Sequence, residues 1–162
     1  MNSTIEQLAN TLIKKNLHLL TAESCTGGLI AKVCTDSAGS SGWFDGGVVS
    51  YSNAMKVKLL NVPVESINQF GAVSEEVAEK MALGVNLITD NPKRYVSIAV
   101  TGIAGPGGAT NDKPVGTVCF AWTHGPKVLA VETVHFIGGR EEVRQQTMEH
   151  ALMRLNNLLE TV

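Results

Sequence analysis

The sequence is 162 residues long, which is about the size of one globular domain, so one domain over 1–162 is expected. Its 44% apolar residues can build a sizeable core, and a net charge of -2 with interspersed acids and bases excludes a typical nucleic-acid binder. No apolar run is long enough for a membrane span, and the amphipathic start is unlike a signal peptide.

Hydrophobic periodicity and turn residues divide the chain into helices and strands. Ser3 and Glu6 have the spacing of a capping box, and Ser74 is a good N-cap, so both positions predict helix starts. The predicted helices cover 4–15, 29–34, 54–60 and 140–159, and a further helix begins after Ser74, has an apolar stripe that reaches Ile88, and ends at Asp90-Asn91-Pro92. The predicted strands cover 17–21, 43–51 and 95–100, with an interruption of the second at Gly46-Gly47. Two more strands, 116–123 and 128–136, form a predicted hairpin.

This order of elements predicts an α/β fold, a three-layer α/β/α sandwich with a mixed central sheet. Three cysteines (Cys25, Cys34 and Cys119) are odd in number and lack metal-ligand spacing, which indicates a reduced, cytoplasmic protein. Trp43 and Phe44 look exposed and are candidates for a self-association surface, so we expect a homo-oligomer, with a dimer favoured.

The segment TAESCTGG joins a predicted strand to a predicted helix. A serine at this corner, Ser24, projects from the strand end, while free N–H groups around Thr26 can hold the oxyanion that forms when an alcohol attacks a carbonyl. Gly27 and Gly28 let a substrate approach the backbone. Ordinary helix capping explains the same residues, and Cys25 is a rival nucleophile because a helix start lowers thiol pKa.

A serine nucleophile needs a base, and none of the four histidines is accompanied by a motif, so each is interpreted as structural: His18, His124, His135 and His150. The other solution is a lysine kept neutral by burial. Lys56 follows a strand end and opens a short helix, although periodicity alone does not separate it from Lys58, and a solvated surface lysine is the simpler interpretation.

Two further segments are candidates for lining a site. The loop TGIAGPGG, which begins at Thr101 and Gly102, can hold a ligand with backbone amides, although it lacks the ending of a P-loop. Arg140 and Arg144 lie near the start of the last helix, where a cation makes sense if an anion also binds. A solvated arginine paired with a neighbouring glutamate is the alternative.

Six blocks in order over about 8–159 resemble the CinA C-terminal domain family: TAESCTGG, GSSGWF, VSYSNAMK, GAVSEE, TGIAGPGG and KPVGTV. Since the chain has no room for the large N-terminal domain of full-length members, it resembles the stand-alone form. That resemblance implies hydrolysis of nicotinamide mononucleotide to nicotinic acid mononucleotide and ammonia. It also implies an α/β/α fold, a small nucleotide substrate, and neither metal nor cofactor.

The resemblance also assigns roles to residues. It implies Ser24 as nucleophile, Lys56 rather than Lys58 as base, and Tyr51 as a tyrosine beside the site. Thr101 and Gly102 match the loop facing the site. Arg140 matches the family's arginine, although the acid that often precedes it is Gly139 here.

Two other functions compete with this one. The first is a CinA-like module that binds a nucleotide or a partner without turnover, against which the presence of both Ser24 and Lys56 argues. The second is a hydrolase with Cys25 as nucleophile, which thiol alkylation would inactivate and which would tolerate Ser24→Ala.

Overall fold

In the part of the chain that the structure describes, five strands form one mixed sheet in the spatial order β2-β1-β3-β4-β5. A computed structural model describes residues 2–162. The strands are β1 (His18–Glu23), β2 (Phe44–Val49), β3 (Tyr95–Gly102), β4 (Thr117–His124) and β5 (Lys127–His135). β1 runs parallel to β2 and β3, whereas β4 runs antiparallel to β3 and β5.

Within residues 2–162, six helices cover the two faces of the sheet, as the predicted three-layer sandwich requires. They are α1 (Asn2–Lys15), α2 (Leu29–Thr35), α3 (Asn53–Leu60), α4 (Val64–Phe70), α5 (Glu75–Asn86) and α6 (Arg140–Leu159). One apolar core lies between the sheet and α1, α2 and α6, and a second lies between the sheet and the helices α3 and α5. The strands β3 and β4 are buried almost throughout because both faces are covered.

Several boundaries differ from the sequence prediction. The helix α1 begins at Asn2, so the predicted cap Ser3 lies inside its first turn, and α5 ends at Asn86, which leaves Ile88 exposed beyond it. The helix α4 was not predicted: its apolar residues Val64, Ile67 and Phe70 make only a three-residue stripe, and none of them is fully buried. Gly46 and Gly47 do not break β2, although its register against β1 shifts between Phe44 and Gly46, and a side chain at Gly47 would overlap Thr21.

The predicted self-association surface at Trp43 and Phe44 is wrong. These side chains are only 2% and 9% exposed, and both belong to the core beneath α1 and α2. Aromatic residues beside a turn can be buried when the next strand carries them under a helix, which a local pattern of small residues does not predict.

The sheet topology brings three chain segments to one edge. β1, β2 and β3 are parallel neighbours, and Glu23 pairs with both Val49 and Val100. The carboxyl ends of all three strands therefore meet, and the segments that follow them face a common space. Ser24, Tyr51 and the loop after Gly102 are three of the places where the sequence predicted a site.

Candidate active site

Ser24 directly follows β1 and is 6% exposed. Its backbone is fixed on both sides, because its N–H donates to Val100 O at 3.1 Å and its carbonyl accepts from Gly27 N at 3.1 Å. The side chain lines a cleft of about 310 Å³ at the strand ends. A buried hydroxyl on a rigid turn at the base of a cleft is suited to attack a bound carbonyl.

Lys56 meets Ser24 in this cleft, although 32 residues separate them. Ser52 caps α3 by accepting from Met55 N at 3.2 Å, and the first turn of that helix points the Lys56 side chain inward. The Lys56 Nζ lies 3.1 Å from Ser24 Oγ and donates to Tyr51 O at 3.2 Å. Lys58, by contrast, is exposed to solvent.

Burial determines the charge state of Lys56. The side chain is 2% exposed, and desolvation lowers its pKa from the ordinary value of 10.5, although the nearby Cys25 acts in the opposite direction. Within residues 2–162, no carboxylate lies within 4 Å of its amine. A lowered pKa makes the neutral amine more available at neutral pH, which is what a general base needs.

The walls of the cleft come from the three segments that the sheet brings together and from the start of α6. Thr101 is buried, and its hydroxyl donates to Ala72 O at 2.7 Å, so the hydroxyl is engaged with the backbone. Gly102 leaves room that a side chain would fill, since a Cβ there would lie 3.1 Å from Cys25 Sγ. The lining residues are Ser24, Cys25, Tyr51, Asn53, Lys56, Ala72, Val73, residues 101–105, Gly107, Gly108 and Arg140.

Arg140 lies at the mouth of the cleft, at the first position of α6. Its Nη1 donates to Gly105 O at 2.7 Å, and its Nη2 donates to the Tyr51 hydroxyl at 3.3 Å. Arg140 therefore links the glycine-rich loop to the segment after β2. The guanidinium is exposed and has no carboxylate partner within residues 2–162, so it presents a positive charge to a ligand.

Cys25, the rival nucleophile, also lines the cleft beside Ser24. Burial raises the pKa of this thiol to about 12, and Glu23 adds to the rise while Lys56 and Arg144 oppose it. At neutral pH the thiolate, which is the nucleophilic form, is scarce. Of the two neighbouring side chains, Ser24 is the one within hydrogen-bond distance of the Lys56 amine.

The two glycines after Ser24 do not face the cleft, although the sequence predicted that they let a substrate approach the backbone. Gly27 and Gly28 adopt positive φ values of 59° and 97°, but neither they nor Thr26 lines the cleft. The Gly27 N–H donates to Ser24 O, and the Gly28 N–H donates to the buried Glu23 carboxylate. The predicted oxyanion donor at Gly27 is thus engaged, and so is the N–H of Gly28, since the chain uses both groups to build the turn.

Sequence reasoning missed Glu23 and Asn53 and the role of Arg144. The Nε and Nη2 of Arg144 donate to the carbonyls of Cys25 and Thr26, a contact that neither sequence alternative predicted. Glu23 had one available signal, since an acid just before a helix start complements the helix dipole. Asn53 lines the cleft one turn before Lys56, and no feature of the sequence singled it out.

The remaining candidates lie elsewhere. Each histidine is bonded outside the cleft, as the structural interpretation expected: His18 to Asp45, His124 to Lys93 O, His135 to Val115 O and His150 to Glu132. In the described chain, no three or more His, Cys, Asp or Glu side chains are grouped so as to hold a metal ion. Of the helices within residues 2–162, none has the length and apolarity needed to cross a bilayer.

Fold and cleft together define an α/β protein with a buried serine–lysine pair at the ends of parallel strands. Residues 1–159 match the CinA C-terminal domain family, and the chain belongs to that family. A crystal structure of a competence-damaged protein (CinA) superfamily member from Klebsiella pneumoniae superposes with a TM-score of 0.92 at 32% identity, covering 99% of this chain and 98% of that one.

The relatives that match the chain include proteins of similar length and a much longer protein. The nicotinamide-nucleotide amidohydrolase PncC of Enterobacter agglomerans is 46% identical over 146 residues, which cover 90% of this chain and 87% of that protein. PncC of Escherichia coli K12 is 42% identical over 150 residues, or 93% and 89%. A CinA-like protein of Desulfotalea psychrophila is 48% identical over 159 residues, and the chain spans 37% of its length.

Proposed function

We propose that the protein is a serine amidohydrolase that converts nicotinamide mononucleotide to nicotinic acid mononucleotide and ammonia. The observation that carries this proposal is the buried Lys56 amine, 3.1 Å from the Ser24 hydroxyl, with a pKa lowered by burial. The relatives named PncC, which match nearly the full length of this chain, support the choice of substrate.

The reaction follows from the arrangement of these two groups. Neutral Lys56 takes the Ser24 proton as Oγ attacks the carboxamide carbon, and the Tyr51 carbonyl keeps one Nζ–H occupied so that the lone pair faces the hydroxyl. The resulting ammonium returns the proton to the leaving nitrogen as the C–N bond breaks, releasing ammonia. Lys56 then deprotonates a water molecule that attacks the acyl ester, which frees the acid and restores Ser24.

The negative oxygen of the tetrahedral intermediate needs donors from the backbone. Since Gly27 and Gly28 are engaged and Thr26 is buried outside the cleft, the N–H group of Cys25 is the one we assign. Cys25 lines the cleft and directly follows the nucleophile. Loss of one such donor typically lowers the rate by roughly two to three decades.

The substrate phosphate is assigned to Arg140. Its exposed guanidinium is held by Gly105 and Tyr51 and retains further N–H donors for an anion at the mouth of the cleft. The phosphate would then lie far from the reacting carboxamide, which sits at Ser24. Thr101 and Gly102 shape the wall between them, since Thr101 is bonded to Ala72 and Gly102 leaves the space open.

Ammonia release from nicotinamide mononucleotide tests the proposal. Wild type should turn over, Ser24→Ala and Lys56→Met should lose activity, and Cys25→Ser should keep it. Lys58→Met is the matched control, because this exposed lysine lies on the same helix and should be dispensable. A silent wild type would favour the nucleotide-binding module, and loss of activity in Cys25→Ser alone would favour a cysteine hydrolase.

Two further expectations are part of the proposal. The three cysteines are free and buried, which supports a cytoplasmic location, and the shared sheet supports a single domain. The dimer stays a prediction for analytical ultracentrifugation, without the Trp43–Phe44 surface that first suggested it.

A further inference from the structure

A buried carboxylate lies directly beneath the turn that carries Ser24. Glu23, the last residue of β1, is 1% exposed and accepts four hydrogen bonds. Its Oε2 accepts from Thr26 Oγ1 at 2.6 Å, Gly28 N at 3.1 Å and Ile30 N at 3.1 Å, while Oε1 accepts from Ala31 N at 2.8 Å. All four donors belong to the turn or to the start of α2.

We propose that Glu23 is a positioning residue for the Ser24 nucleophile, which it holds in line with Lys56 by fixing the 24–28 turn. The inference rests on the proposed function, because it assigns a role in the reaction of Ser24. Glu23 does not line the cleft, so it acts through the turn rather than on the substrate.

The contacts of the turn explain why one carboxylate can set the direction of a neighbouring side chain. Gly27 and Gly28 make the turn pliable, since glycine has the widest range of backbone conformations. Glu23 holds its N–H side, and Arg144 holds its carbonyl side through Cys25 O at 3.1 Å and Thr26 O at 2.9 Å. The turn is therefore fixed from two sides by groups of opposite charge.

The carboxylate is also the group that suits this position. Both of its oxygens face donors only, and the described chain gives it no lysine or arginine partner within 4 Å. A glutamine of the same size would turn its NH₂ toward at least the Ala31 N–H, which loses that hydrogen bond and sets two donors against each other. The turn should then relax while the cleft walls stay in place.

Steady-state kinetics with nicotinamide mononucleotide test this role with the variants Glu23→Gln and Thr26→Val. Because a displacement of about 1 Å can cost roughly a hundredfold in rate, Glu23→Gln should lower kcat at least about tenfold and leave KM within about threefold. Thr26→Val removes one of the four bonds and should lower kcat by a smaller factor; it also keeps the test valid if Glu23→Gln fails to fold. Glu75→Gln is the control, since Glu75 opens α5, accepts from Thr133 and lies outside the cleft.

A second readout separates this inference from the choice of substrate. A fluorophosphonate labels an activated serine: Oγ bonds to phosphorus, fluoride leaves, and Lys56 takes the hydroxyl proton. Ser24 should be labelled in wild type and at least about tenfold more slowly in Glu23→Gln. If wild type is labelled but does not deamidate the nucleotide, the proposed substrate fails, and slower labelling of Glu23→Gln still supports the positioning role.

Three outcomes would overturn the role of Glu23. One is an unchanged kcat and an unchanged labelling rate in folded Glu23→Gln or, if that variant does not fold, in Thr26→Val. Another is a fall in kcat that the folded fraction explains fully, since a merely structural residue changes the amount of active protein and not its turnover. The third is a wild type that is neither labelled nor active, because there is then no activated serine to position.

Discussion

Lys56→Met tests the energetic basis of the site, because it removes the buried amine and keeps a side chain of similar length. Between the lowered pKa of folded Lys56 and the ordinary value of 10.5, the unfolded chain binds a proton that the folded chain lacks. The free energy of unfolding of the wild type therefore rises across this range by about 1.4 kcal/mol per pH unit from this residue. Below the lowered pKa both the folded and the unfolded chain carry the proton. The folded wild type then bears the full free-energy cost of burying a charged amine.

Methionine has no such proton, so the two proteins should diverge with pH. The variant loses two hydrogen bonds of Lys56, to Ser24 and to Tyr51, each contributing about 0.5–1.5 kcal/mol. At neutral pH this loss is offset, because methionine avoids the free-energy cost of placing a lysine amine in a buried site. That cost to the wild type disappears as the pH approaches 10.5, so the offset disappears with it. Stability of wild type relative to Lys56→Met should thus increase with pH.

Urea denaturation at several values between about pH 7 and about pH 10 measures this difference. Groups common to both proteins cancel in the comparison. Lys58→Met should follow the pH dependence of wild type, since Lys58 is exposed. If the free energies of unfolding of wild type and Lys56→Met differ by the same amount at every pH, the amine is not desolvated and the reasoning is refuted.

The protonation of Lys56 also controls catalysis, since only the neutral amine acts as a base. The value of kcat/KM should therefore rise with pH through an inflection below 10.5.

Three other variants test the walls of the cleft. Gly102→Ala should lower the free energy of unfolding by about 1–3 kcal/mol and reduce activity, because the new Cβ lies 2.8 Å from Val118 Cγ2. Thermal unfolding measures the loss of stability. Gly42→Ala is the control, since a Cβ at Gly42 meets nothing within 4 Å. Arg140→Met should raise KM for nicotinamide mononucleotide roughly tenfold to a hundredfold, as expected for a charged hydrogen bond of about 1.5–3 kcal/mol, with little change for the nucleoside that lacks the phosphate; equal effects on both substrates would contradict the assignment. Alkylation of Cys25 should be slow near neutral pH and accelerate toward a pKa of about 12, measured by peptide mass spectrometry; rapid labelling at neutral pH would reopen the cysteine mechanism.

The sequence predicted the layers of the fold well where the patterns were long. The helix over 140–159 has the predicted bounds, because its twenty residues repeat an apolar stripe often enough to define both ends. Ser74 caps α5 as predicted, accepting from Val77 N at 3.2 Å. Short elements were harder to predict. The three apolar residues of α4 are too few to define a helix, and the apolar residues of α3 are spread around the helix, so periodicity alone could not separate Lys56 from Lys58.

The candidate site shows why local patterns do not suffice. Lys56 is brought to Ser24 by the parallel pairing of β1 with β2, a long-range contact that no window of sequence contains. Glu23 is buried only because four donors of the next turn and helix surround it, an arrangement visible in three dimensions alone. The resemblance supplied the Ser24–Lys56 pairing, and the fold supplies its physical cause.

Trapping the acyl-enzyme is the most direct test of the Ser24 mechanism. Acid quenching of the enzyme during turnover of nicotinamide mononucleotide, followed by fragmentation mass spectrometry, locates any acyl group on the chain. The mechanism predicts a nicotinate mononucleotide ester on Ser24 that is absent from Ser24→Ala. An acyl group on Cys25, or turnover by Ser24→Ala at the wild-type rate, would contradict it.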